Sequence, residues 1–507
     1  MAAWRPEPTL TDKQVNRAMR LVIGDGLASE AMTTLTSGTF LVAMLVLLNA
    51  NNFQIGLLAG LPTFTNVFQL LSVWLVRRFN NRRAIVVISS FLARTPLIII
   101  GLLILIFKSI PVESIVFILF FHYFFGSVAG PCWNAWMKDL IPEKALGTYF
   151  SKRTSYTTLL NILLGLAAAF LVDYVKNNRI TAEINVYACL FIAGGIGGII
   201  SALCLSNTAE PLGKVTTGNI LTVLQRPLRD RNFRKLLVFN SAWVFALNIA
   251  TPFFVVFMMK KMGLSISWII ALTITSQICS ILTVRMWGRF ADRYSNKTII
   301  GICAPLYILV LIGWCYVGIY TREYLNVILL FVIHAGTGIA NAGINLSLTN
   351  ISLKLSPAEE SVVYLSTKNI ITALFSFVAP LMGGYMADYF SSRTLSIDAQ
   401  WVGPHWQKVI HLLDLHEFKF LFLIAAGLAF IAAELLLGVK ETGEVAKNVV
   451  RRMMRTSLRN NLKEYFLIGQ LIDLHDAFRN LFRKRKMQEQ ENISSSSPGG
   501  IHARNQV

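Results

Sequence analysis

Acidic residues are scarce in this chain: 27 Asp and Glu stand against 47 Lys and Arg, and charged residues of all kinds fill only 15% of its 507 positions. A soluble domain of that length needs a charged surface, and a composition that is 54% hydrophobic exceeds what its interior could bury. The six cysteines, Cys132, Cys189, Cys204, Cys279, Cys303 and Cys315, follow no metal-binding or disulfide spacing and fall within apolar stretches. There is no phosphate-binding P-loop, nucleophile elbow, zinc-histidine pair or redox cysteine pair. Those absences argue against ATP-driven transport by this chain alone and against the common enzyme classes, and no cofactor or metal is expected. The first nineteen residues are polar, include Pro6 and Pro8, and lack the short apolar core of a cleaved signal, so the first helix is expected to be its own membrane anchor.

What is present is a series of apolar segments of about twenty residues or more, the length that crosses roughly 30 Å of hydrocarbon as a helix. Barrel strands would be shorter and alternating. The pattern predicts twelve helices, near 21–48, 53–76, 84–107, 113–137, 153–173, 184–206, 234–259, 265–284, 298–319, 325–352, 369–386 and 420–438. The net charge of +20 raises nucleic-acid binding, and the placement of the cations argues against it. Of the 47, 24 lie in segments 1–20, 77–83, 138–153, 207–235, 285–297 and 354–368, nine lie in the alternate loops, and thirteen lie in the tail. The positive-inside rule then puts both termini in the cytoplasm, and Arg94 is the one cation deep inside a predicted helix.

The second half repeats the first at a constant offset of 215 residues. Arg78-Phe79-Asn80-Asn81-Arg82 matches Arg293-Tyr294-Ser295-Asn296-Lys297, and Leu140, Pro142, Tyr149, Ser151 and Arg153 match Leu355, Pro357, Tyr364, Ser366 and Lys368. The same offset pairs Asp25 with Asn240. Both matched loops lie on one side, so the halves are parallel repeats, which suits two bundles rocking about a central site. The expected organisation is a six-helix bundle over 1–206, a cytoplasmic linker over 207–233 with a short amphipathic helix around Ile220 to Leu228, a second bundle over 234–438, and a basic tail over 439–507. In that tail Val449, Met453, Leu458, Leu462 and Phe466 alternate with Arg451, Arg452, Arg455 and Arg459, a pattern that fits the anionic inner leaflet. Residues after Gln488 read as disordered.

The loop Gly288-Arg289-Phe290-Ala291-Asp292-Arg293-Tyr294-Ser295-Asn296-Lys297 resembles the signature that the major facilitator superfamily carries between the second and third helices of each half. The first-half loop departs from it, with Val73 in place of the glycine and Arg77 in place of the aspartate. The segments Asn232-Phe233-Arg234 to Pro252-Phe253-Phe254 and Trp133 to Pro142 are also similar to bacterial members. The resemblance implies an all-α membrane protein of twelve helices in two pseudo-symmetric six-helix bundles. It further implies a monomeric secondary transporter of the bacterial inner membrane, with Gly288, Asp292, Arg293, Lys297 and Asp139 as loop or gate residues.

Ionisable groups inside a bilayer cost roughly 2.5–3.5 kcal/mol each and are functional candidates by default. Asp25 and Glu30 fall on the first helix and Arg94 on the third. Glu30 and Arg94 lie at similar depth and can meet, so Glu30 or Asp25 is read as a proton-titrated carboxylate whose affinity for its proton depends on pairing with Arg94, or else as part of a fixed structural ion pair. His122, Trp133 and Trp136 share one face of the fourth helix, and His334, Asn341 and Asn345 share one of the tenth. Asn240 and Trp243 lie on the seventh. These are substrate-cavity candidates, or else polar glue between packed helices. The sequence thus points to proton-coupled movement of an unidentified small solute by alternating access. A lipid or lysolipid flippase and a non-transporting receptor or scaffold on the same fold are the competing readings.

Overall fold

A computed structural model describes residues 6–8, 10–107, 110–142, 145–179, 182–212, 226–318, 323–357, 360–403 and 406–441. The tail pattern from Val445 and most of the expected linker helix at Ile220 to Leu228 lie outside these. Among the described residues twelve helices are long and apolar enough to cross a membrane. They are α1 Asp12–Leu47, α2 Asn52–Phe79, α3 Arg82–Phe107, α4 Val112–Leu140, α5 Leu146–Asn178, α6 Glu183–Ser206, α7 Arg231–Lys260, α8 Ile266–Tyr294, α9 Asn296–Tyr316, α10 Tyr324–Lys354, α11 Val363–Phe390 and α12 Phe418–Gly438. Several run past their predicted ends, notably α1, α5 and α8, because polar turns continue the helix beyond its apolar span.

Local chemistry sets the helix ends. Thr11 and Gln14 form a reciprocal capping box at the start of α1, and Asn51 and Gln54 form another at the start of α2. Asp230 accepts from the backbone N–H of Asn232 and Phe233 to open α7. α1 is broken at Ser37, where Gly38 takes φ +56. α2 tightens into a 3-10 turn at Asn66–Phe68, just beyond Pro62.

With twelve crossings, the beginning of α1 and the end of α12 share one face, the terminal face. The other face carries an element the sequence reading missed. Thr394–Gly403 and Trp406–His416 form an antiparallel hairpin, β1 and β2, with Thr394 opposite His416 and Gly403 opposite Trp406. Its signal was legible in the alternation of Thr394-Leu395-Ser396-Ile397-Asp398.

The two halves meet closely toward this hairpin face. A Cβ on Gly56 of α2 would stand 2.1 Å from the Pro380 carbonyl oxygen of α11, one on Gly60 2.9 Å from that of Phe377, and one on Gly384 2.5 Å from that of Asn52. The rings of Phe64 and Phe377 continue the contact, 4.7 Å apart. On the other side of the junction α5 packs on α8, with the Gly165 position 3.9 Å from Ile270.

A buried charge cluster and two polar cavities

Within the first half, α6 carries the small-residue run Gly194-Gly195-Ile196-Gly197-Gly198, which lets α1 and α3 approach its backbone. A Cβ on Gly194 would lie 2.5 Å from Thr36, and one on Gly198 would lie 2.3 Å from Cγ of Arg94. Gly198 therefore makes the room in which Arg94 lies. Gly26 does the same for a second cation, since a Cβ there would fall 2.6 Å from Nε of Arg153.

These two seats bring a pair of guanidinium groups around Asp25, which is 4% exposed. Its Oδ2 is 3.4 Å from Nη2 of Arg153, and its Oδ1 accepts from the Ser201 hydroxyl at 2.7 Å. Arg153 also donates from Nε to the Val22 carbonyl at 3.2 Å, and its guanidinium lies 5.1 Å from the Trp133 ring. Arg94 donates to the Ser201 Oγ at 3.5 Å, while its Nε finds no acceptor. Ser201 thus bridges Arg94 and Asp25. Of the two carboxylates expected to meet Arg94, Asp25 is the one brought to it, through Ser201, while Glu30 accepts from Nδ2 of Asn161 on α5 at 3.0 Å.

A cavity of about 560 Å³ opens beside this cluster, lined among others by Asp25, Arg94, Arg153, His122, Trp133 and Gln69. A second cavity of about 400 Å³ lies between the halves, where Glu30, Thr158 and Asn161 face Ser276, Gln277 and Asn341. Three of the substrate-cavity candidates, His122, Trp133 and Asn341, therefore line polar spaces, as do the proton-coupling candidates Asp25, Glu30 and Arg94. His122 is fixed there by a 2.6 Å bond from Nδ1 to the Ala93 carbonyl.

Other predictions require correction. Trp136 is fully buried and donates from Nε1 to the Ala209 carbonyl at 3.0 Å, so it ties α4 to the segment after α6 instead of facing solute. Trp243 is 2% exposed and packs on Phe239 and Tyr307 inside the second half. Asn240 is consumed by Thr372 at 2.8 Å, a bond that joins α7 to α11. His334 bonds the Leu330 carbonyl of its own helix and stacks edgewise on Trp314. Asn345 is exposed and lines neither cavity. Spacing along one helix gives a face but not the neighbour that packs on it, which here takes up Trp136, Trp243, Asn240 and His334.

A sequence model of the Major Facilitator Superfamily matches residues 26–352, more than half of the chain. The chain belongs to the major facilitator superfamily. Its fold is shared with the solved nucleoside transporter NupG, at 13% identity and a TM-score of 0.62 over 84% of this chain and 98% of that one. The inward-open xylose transporter XylE from E. coli is similar at 13% identity and a TM-score of 0.58, over 87% and 99%. A bacterial homologue of the iron transporter ferroportin, inward-facing, gives 10% identity and a TM-score of 0.56, over 84% and 99%. No curated protein matches the chain in sequence with significance.

The superfamily signature loop lies on the terminal face and is built twice with exchanged charges. In the first half Arg82 bonds Asp139 at 2.6 Å and Glu210 at 3.1 Å, and Glu210 also accepts from the backbone N–H of Arg82 and Arg83 at the start of α3. In the second half Glu441 accepts from the N–H of Asn296 and Lys297 at the start of α9, and from Nζ of Lys354 at 3.2 Å. Lys354 stands where the repeat puts Asp139. Burial alone would push the Glu441 carboxyl up, but the bonds from Lys297, Asn296 and Lys354 outweigh it and hold the group below the usual glutamate range. Asp292 is exposed, Arg293 lies over the Tyr294 ring at 5.5 Å, and a Cβ on Gly288 would meet Leu346 at an ordinary 3.7 Å. Lys297 joins the network through its backbone.

Proposed function

We propose that the chain is a secondary active transporter that carries a small polar solute between its two halves by alternating access, coupled to a proton at Glu30 or Asp25. The observation that carries this reading is the charged, hydroxyl-rich seam inside a twelve-helix bundle, where burying such groups is costly unless they are used. The charged lining of the larger cavity is two guanidiniums and one carboxylate, Arg94, Arg153 and Asp25, so it favours a solute with one negative or strongly electron-rich group. Trp133 beside Arg153 supplies an apolar wall for the rest of that solute.

Glu30 is the better-placed proton carrier. Protonating Asp25 breaks its ion pair with Arg153, whereas Glu30 is bonded to the neutral amide of Asn161 and lies in the cavity between the halves, where opening changes its access to water. With both termini in the cytoplasm and the hairpin face packed shut, this conformation would be open inward. The test is uptake into proteoliposomes. Glu30→Gln is expected to keep solute exchange while losing accumulation driven by a pH gradient. Full gradient-driven accumulation by an Asp25→Asn, Glu30→Gln double variant would remove proton coupling at these carboxylates.

A further inference from the structure

Two carboxylates on the hairpin face, one from each half, cross the junction to the start of a helix in the other half. Asp388, in the last turn of α11, accepts from the backbone N–H of Asn52 at 3.3 Å and of Phe53 at 3.2 Å, and from Nδ2 of Asn52 at 2.8 Å. Asp173, near the end of α5, accepts from the N–H of Ile266 at 3.1 Å and of Ser267 at 2.9 Å. The first N–H groups of a helix have no partner within it and form the positive end of its dipole, so a carboxylate is their natural complement. Ser265, the residue that precedes α8, makes no side-chain cap bond, which leaves that role to Asp173.

The two arrangements are copies of each other. Asp173 and Asp388 are separated by the same 215 residues as the repeat, and so are Asn52 and Ser267. One device has been built twice, with donor and acceptor always on opposite halves. Neither aspartate lines either of the polar cavities.

We infer that Asp173 and Asp388 are paired latches that hold the hairpin face closed, and that both must release together for the halves to open there. They are positioning residues for the transport cycle and not solute ligands. In the open state the carboxylates and the helix ends are returned to water, which hydrates both, so the latches bias the closed state without locking it. The Asp388 latch has an extra donor in the Asn52 amide and is the stronger of the two.

Hydrogen exchange of the full-length reconstituted protein, read by mass spectrometry, distinguishes a latch from a local cap. Asp388→Ala is expected to raise exchange about tenfold in the first turn of α2 and also in the first turn of α8, because loss of one latch lets both halves part. Asp173→Ala gives the mirror result to a smaller degree, about fivefold, and the double variant about the product of the two, roughly fiftyfold. A rise confined to the helix start that lost its own carboxylate would overturn the inference. Should an alanine variant not fold, Asp388→Asn and Asp173→Asn, which keep the acceptor and lose the charge, make the same comparison: a smaller rise at both helix starts supports paired latches, and a rise at one only refutes them.

Discussion

Arg153 of α5 lies across α1 with its Nη2 3.4 Å from Oδ2 of Asp25, in a space that any side chain at position 26 would fill. The ion pair joins two helices of the first half, and Ser201 extends it to Arg94 on α3. Removing the carboxylate alone strands the buried Arg94 and the partly exposed Arg153. Asp25→Asn should therefore cost about 3 kcal/mol of stability, the low end for a broken buried pair because Arg153 is partly exposed. Asp25→Asn with Arg153→Gln should recover most of that loss without restoring transport. Thermal unfolding in detergent and uptake in proteoliposomes read the two effects separately.

The junction of α2 with α11 leaves no space for a side chain at Gly56, where a Cβ would stand 2.1 Å from a backbone oxygen of Pro380. Backbone cannot yield as a flexible side chain does. Gly56→Ala is expected to shift the protein toward opening on the hairpin face, seen as faster labelling of a cysteine placed there. Gly427→Ala, at a position with nothing within 4 Å, should label at the parental rate.

Glu441 gives a pH-dependent prediction on the terminal face. Its carboxyl is held below the ordinary value of about 4.3, so the stability it contributes is fully present above that value and is lost as pH falls through its lower folded pKa. At pH 7 Glu441→Gln should destabilise the protein by about 1 kcal/mol, the scale of a lost helix cap. The difference in melting temperature between parent and variant should shrink below pH 4. A difference that widened on acidification would contradict the network drawn around Asn296, Lys297 and Lys354.

The sequence made the twelve spans and the duplication legible because both are long-range regularities, hydropathy over twenty residues and a fixed 215-residue offset. It did not reveal Arg153 as a membrane residue. α5 begins at Leu146, earlier than its apolar span suggests, so Arg153 lies two turns into the helix instead of in a loop. Asp173 and Asp388 were missed for the same reason, at or just past the predicted ends of their helices, although the repeat offset that links them was already in view. Trp136 and Trp243 failed differently: their helix faces were read correctly as periodic, but only the packed structure shows that a linker carbonyl and a tyrosine occupy those faces.

Coupled transport means that entry of the solute brings a proton with it. Proteoliposomes loaded with a pH dye, with no gradient imposed, can be challenged in turn with a panel of monoanionic, neutral and cationic small solutes. The account predicts that one class, the monoanions, produces a pH change in step with its own entry, and that Glu30→Gln abolishes the pH change while solute exchange continues. Entry of a solute with no accompanying proton movement in the parent protein would contradict it.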